Sequence, residues 1–140
     1  MKIRAITGVL SVLALAASLS AQAQVKIGVI ASASGPTAFV GIPQKNSVAM
    51  LPKKAGNLDI EYIVYDDASD SSQSVQLTKK LLSEHKIDAM IGPSGSPNAM
   101  GVQQFLTEAQ TPMLAPVGTT AIVQPMDDKK RWTFRTHPSD

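Results

Sequence analysis

From residue 25 onward, apolar positions switch repeatedly between the period of a strand and the period of a helix. Residues 25–31 read Val-Lys-Ile-Gly-Val-Ile-Ala, a β-branched run that predicts a strand and ends in a loop over residues 32–37. Helical spacing follows from about Gly41 to Leu51, where Pro52 stops it. Residues 60–65 predict a second strand and residues 66–70 a turn. Asp70 is placed to cap a helix over residues 71–84, whose Val75, Leu77, Leu81 and Leu82 can face a sheet. A third strand over 89–91, a third helix over 97–109, a fourth strand over 112–115, a helical turn over 120–124 and a fifth strand over 132–136 complete the pattern. Strand and helix alternating at this spacing predict an α/β fold: a Rossmann-like parallel sheet with helices on both faces.

In such a sheet the loops leaving the carboxyl ends of the strands share one edge, and ligands bind in the crevice there. That rule gathers Ser-Ala-Ser-Gly-Pro-Thr (32–37), Gly-Pro-Ser-Gly-Ser-Pro (92–97) and Pro-Val-Gly-Thr-Thr (116–120). All three are built of small and hydroxyl residues, with no carboxylate or imidazole among them. The second loop opens a helix: Ser96 is a good N-cap and Pro97 suits a first helical position, where its missing N–H costs nothing. The free N–H groups of a helix start attract an anion, and a carboxylate there gains about 0.3–2 kcal/mol. The composition is that of a recognition site for a small polar ligand, without the parts of a reaction site.

The amino terminus changes the charge picture. Lys2 and Arg4 precede an apolar run over 5–17, and the following polar stretch ends in Ala21-Gln22-Ala23, the small-x-small pattern of a secretory cleavage site. Residues 1–23 are therefore expected to be a signal peptide, and the run is short for a bilayer span. Lys2 and Arg4 account for the whole formal charge of +2; without them eleven basic residues face eleven acidic ones. The basic sequence pI is thus no argument for nucleic acid or an anionic membrane as partner. The chain has no cysteine, which excludes disulfides, thiolate metal sites, cysteine nucleophiles and cysteine lipidation.

Enzyme motifs fail on inspection. Gly92-Pro93-Ser94-Gly95-Ser96 matches a nucleophile elbow for three positions, but serine stands where the last glycine is required. No Lys-Ser or Lys-Thr follows the glycines as in a phosphate loop, and Gly28 lacks the further glycines of a dinucleotide fingerprint. His85 and His137 have no second ligand at metal spacing, and His85, near a predicted helix end, reads as a solvated or dipole-compensating side chain. Asp66, Asp67 and Asp70 lack the glycine and distal glutamate of a calcium loop and read as turn and cap residues. Lys129-Lys130-Arg131 after Asp127-Asp128 reads as a solvated turn, and Trp132 as packing at a strand start. No catalytic residue, cofactor or metal is expected.

Taken together, Ile27-Gly28-Val29-Ile30 leading to Ser34-Gly35-Pro36, Tyr65-Asp66-Asp67-Ala68-Ser69-Asp70, Ile91-Gly92-Pro93-Ser94, Pro112-Met113-Leu114 and Phe134-Arg135-Thr136 resemble the opening of the type I periplasmic solute-binding proteins. Within them the sequence is most similar to the branched-chain amino acid (Leu/Ile/Val) receptors of ABC importers. The resemblance implies that a serine after the third strand, Ser96, and a hydroxyl residue and a backbone carbonyl after the fourth, Thr119 and Val117, hold a ligand's α-carboxylate and α-ammonium. It also implies that a bulky residue beside the first loop, Phe39 or Val40, lines the pocket. The plain alternatives are that Ser96 only caps its helix and Thr119 only caps the following turn.

Two departures accompany the resemblance. Residues 51–59 are shorter than in many relatives, which trims a surface turn. The resemblance implies two lobes that close over the ligand, of which residues 24–140 are expected to be part of the first, reaching the crossover to a second lobe expected to be missing. The missing lobe would supply an acidic partner for the ammonium and much of the side-chain pocket. Micromolar binding needs about 8 kcal/mol, so a half-site of a few hydrogen bonds is expected to bind amino acids weakly or not at all, and apolar surface is expected to stay exposed. The leading expectation is an exported, periplasmic solute-binding protein or a fragment of one, monomeric at full length, delivering an amino acid to an inner-membrane ABC permease. A sensing module of the same fold and a serine hydrolase using Ser94 or Ser96 are the alternatives.

Overall fold

The structure, a computed structural model, describes residues 24–138; the signal-peptide reading of residues 1–23 lies outside them. The elements in chain order are β1 (Gln24–Ala31), α1 (Ala38–Val48), β2 (Lys54–Ala55), β3 (Leu58–Asp66), α2 (Ser71–Lys80), a π-helical turn (Leu81–His85), β4 (Ala89–Ile91), α3 (Ser96–Glu108), β5 (Met113–Ala115), a 3-10 turn (Thr120–Ile122) and β6 (Thr133–Arg135). They form one six-stranded sheet in the order β2-β3-β1-β4-β5-β6. All pairings are parallel except the short β2–β3 hairpin. The sheet is mixed α/β with the expected parallel body. The β2 edge was not foreseen, because two exposed residues leave no periodic signal.

Strand register sorts the side chains onto two faces. Ile63, Gly28, Met90, Met113 and Thr133 are successive partners across five strands. Met90 and Met113 are fully buried there, against Leu81, Ile87, Val102, Leu106 and Ile122. One residue further along, Val64, Val29, Ile91, Leu114 and Phe134 form the matching row on the opposite face. There α1 is the only helix among the described residues. Val29 is buried beneath it, while Val64, Leu114 and Phe134 are exposed at 37%, 43% and 52%.

Local chemistry sets the helix positions. Asp70 caps α2 as expected, accepting from the N–H of Gln73 at 2.7 Å. Val75, Leu77 and Leu82 are half-buried against the core and Leu81 is fully buried, but the innermost α2 positions are Ser74 and Thr78. Their hydroxyls are satisfied by Asp67 and by the sulfur of Met90, so small polar residues can occupy the closest approach. Helix α2 gives way at Leu81 to the π-helical turn, which ends at Lys86 in the left-handed conformation (φ 55°).

Candidate functional site at the carboxyl edge of the sheet

Strand order places the site. From β1 the chain crosses to β3 on one side and then returns past β1 to β4 on the other, so the loops after β1 and β4 diverge to opposite faces of the sheet. The crevice between them is the topological switch point of this fold. At its floor the N–H of Ser32, at the end of β1, donates to Ser94 Oγ at 3.1 Å, and both residues are buried. Ser32 Oγ is itself buried with no hydrogen-bond partner.

The Gly92 position is fixed by the neighbouring strands. Its φ of +94° is open only to glycine at low cost, and a Cβ there would collide with the carbonyl of Ile30. Its N–H donates to the Leu114 carbonyl at 2.9 Å. The backbone at Gly92 therefore lies close against that of β1. Gly35, φ +76°, similarly lets the first loop lie against the Ala68 carbonyl.

Helix α3 begins one residue earlier than expected. Gly95 is its N-cap, with extended φ −93° and ψ 140°, and α3 has no side-chain cap. Ser96 is thus the first helical residue and Pro97 the second, so the N-cap role expected for Ser96 and the first-position role expected for Pro97 are both corrected. The reason is geometric: the N-cap carries non-helical dihedrals, and those belong to Gly95. The Ser96 hydroxyl is consequently released from capping, half-buried at the mouth of the crevice.

The α3 start is tied down from behind. Asn98 Nδ2 donates to Asp67 Oδ2 at 2.7 Å and to Ser74 Oγ at 2.9 Å, while Asn98 Oδ1 accepts from Ser71 Oγ at 2.9 Å. Asp67, fully buried, also accepts from Ser74 Oγ and from the N–H of Ser69. Beside it, Asp66 accepts from the N–H groups of Ala68 at 2.9 Å and Ser34 at 3.2 Å. Desolvation pushes the Asp66 carboxyl up, but hydrogen bonds from Ala68, Ser34 and Ala33 outweigh it and hold the group below its ordinary 3.8. All three aspartates are thus engaged in turns, caps and inter-loop ties.

Of the remaining predicted site residues, Thr119 is half-buried, occupies the N-cap position of the 3-10 turn and makes no side-chain cap bond. The Val117 side chain is buried in the core, leaving its backbone for the edge. Phe39 and Val40 lie in the first turn of α1, Phe39 exposed at 77% and Val40 half-buried. A narrow cavity of about 240 Å³ runs beneath α1, bordered by Val29, Val48, Ile91, Gly92 and Pro116. A larger hollow of about 520 Å³ sits near Gln24, Lys45, Lys53 and Tyr62, at the amino end of β1, away from these loops. Neither is bordered by Ser96 or Thr119.

Sequence reasoning missed three contributors. Asn98 gave no apolar signal to mark it as buried, and Ser94 had been considered only as a nucleophile. Arg135, at the end of β6, donates from Nη1 to the Gly118 carbonyl at 2.8 Å and to Thr120 Oγ1 at 3.3 Å. His85 also differs from expectation. It is half-buried, and its Nε2 lies 2.9 Å from the Tyr65 hydroxyl.

Residues 24–140 match the family described as periplasmic binding protein. The chain belongs to that family. It is 32% identical to a Leu/Ile/Val-binding protein homolog of Brucella abortus, over 91% of this chain and 34% of the relative. Among solved structures, an extracellular ligand-binding receptor from Rhodopseudomonas palustris HaA2 is 40% identical, with a TM-score of 0.83 over 85% of this chain and 33% of that one. A solute-binding protein of an R. palustris ABC transporter, in complex with 4-hydroxybenzoate, is 31% identical with a TM-score of 0.72, over 83% and 32% of the two chains. The chain therefore spans about one third of the length of the relatives it matches. Periplasmic binding proteins are solute receptors, and this chain has the lobe fold of its structural neighbours.

Proposed function

We propose that this chain is the first-lobe portion of an exported solute-binding protein that captures a small carboxylate, a branched-chain or related amino acid, for an ABC importer. The observation that carries the reading is the uncapped start of α3. Its N–H groups and the Ser96 hydroxyl stand at the switch point, beside the Thr119 loop, with no side-chain cap bond from any of the described residues. A serine hydroxyl there can donate to a carboxylate while the helix dipole favours its charge. Phe39 or Val40 would flank the ligand from α1, and the Val117 carbonyl would accept from an ammonium group.

An aromatic acid is the second reading, favoured by the relative that holds 4-hydroxybenzoate. The two ligands share the carboxylate and differ in the ammonium, so the shared group is the one this edge can bind. A hydrolase role is disfavoured because Ser94 Oγ already accepts from a buried N–H and none of the three edge loops contains a histidine or carboxylate. An inner-membrane permease as partner and removal of residues 1–23 as a signal peptide belong to the same proposal.

The test is an NMR titration of the 15N-labelled chain with leucine and with 4-hydroxybenzoate. Millimolar response centred on the amides of Gly95, Ser96 and Thr119 supports the reading. Shifts centred away from these loops, or uniform along the chain, contradict it.

A further inference from the structure

We propose that Arg135 is a positioning residue for the carboxylate site: its bridge to Gly118 and Thr120 turns the Thr119 N–H toward the crevice. The inference rests on the site reading above. Arg135 is the last residue of β6, half-buried, and its Nη1 spans the two residues that flank Thr119. In a trans peptide the C=O and N–H point in opposite directions. Pulling the Gly118 carbonyl toward β6 therefore aims the N–H of the same peptide, that of Thr119, away from β6 and toward the β4 side of the sheet, where α3 begins. No backbone or side-chain acceptor takes that N–H among the described residues. Thr119 thus offers two donors, N–H and hydroxyl, opposite Ser96.

The guanidinium suits this task. Both contacts come from one nitrogen of a rigid planar group held half-buried at the end of a strand, whereas a lysine ammonium on a flexible stem would make the same two contacts with less definition. No carboxylate pairs with Arg135 among the described residues. Among these residues its positive charge stands without a counter-ion and adds to the field that attracts an anion. Thr136 N–H donates to the Ala115 carbonyl at 3.1 Å, which keeps the end of β6 fastened to β5 and gives Arg135 a rigid base.

The test compares the full chain with R135Q and R135K by 15N NMR, with and without leucine and 4-hydroxybenzoate. In R135Q the Thr119 amide is expected to shift and to show a lower 15N order parameter while the Gly95 and Ser96 amides keep their shifts, and carboxylate affinity is expected to fall about tenfold. R135K, which keeps the charge, should recover part of the affinity without restoring the Thr119 order parameter. Unchanged Thr119 order and unchanged affinity in R135Q overturn the proposal, as does full restoration of both by R135K. Ligand shifts in the parent chain centred away from these loops would instead mean that the site reading fails. If the parent chain binds neither ligand, the positioning of the loop is decided by the order parameter alone, where an unaltered Thr119 value in R135Q overturns it.

Discussion

The N–H of Ser32 donates to Ser94 Oγ at 3.1 Å, linking the ends of β1 and β4 where strand order reverses. The bond fixes the spacing of the two loops that flank the crevice. Ser94→Ala leaves a buried N–H unpaired and should cost about 1–3 kcal/mol of stability, measured by urea unfolding. Stability equal to the parent chain would show that water replaces the hydroxyl and that the tie is dispensable.

Asn98 joins α3 to the turn after β3 and to α2 through two donations, one to the buried Asp67 carboxylate and one to Ser74 Oγ. Asn98→Ala removes a charge-assisted bond and should destabilise the chain by about 1.5–3 kcal/mol. Chemical unfolding at neutral pH reads it, and a change within about 0.5 kcal/mol, as at an ordinary surface position, would contradict the assigned network.

Asp66 supplies a pH dependence whose sign follows from its lowered pKa. Its stabilising contribution is present above the ordinary value of 3.8 and is lost as pH falls through the lower folded-state value. Asp66→Asn should therefore be less stable than the parent at pH 7, with the difference shrinking as both are acidified below pH 3.8. Urea midpoints across that range test it. A gap that widens on acidification would mean that the carboxyl is held above its ordinary value.

The row Val64, Leu114 and Phe134 is open on the α1 face, and the 140-residue chain is expected to bind a hydrophobic dye such as ANS in its folded state. Phe134→Ser should lower dye binding while changing unfolding stability by no more than about 0.5 kcal/mol. Dye fluorescence unaffected by the substitution would place the exposed apolar surface elsewhere.

Much of the fold was legible because β-branched runs and helical spacing are strong signals when they alternate, as in Val25 to Ala31 and the Asp70-capped helix. The hairpin strand Lys54–Ala55 and the π-helical turn after Lys80 were not, since neither has a periodicity of its own. The edge loops were legible from composition and strand order, but the cap of α3 was displaced by one residue because both Gly95 and Ser96 are acceptable N-caps and only backbone dihedrals decide between them. Polar ties between distant segments, such as Asp67 to Asn98 or Arg135 to Gly118, depend on which loops meet. A linear pattern holds no record of those meetings.

The reading of the α3 start as a carboxylate receptacle is tested most directly by comparing Ser96→Ala with the parent chain in the NMR titration with leucine and 4-hydroxybenzoate. Because Ser96 does not cap α3, the substitution should leave the fold and its unfolding midpoint in place. Loss of its hydroxyl should weaken carboxylate binding about ten- to a hundredfold and abolish the shifts centred on Gly95 and Ser96. Equal affinity and the same shift pattern in both chains would contradict the account.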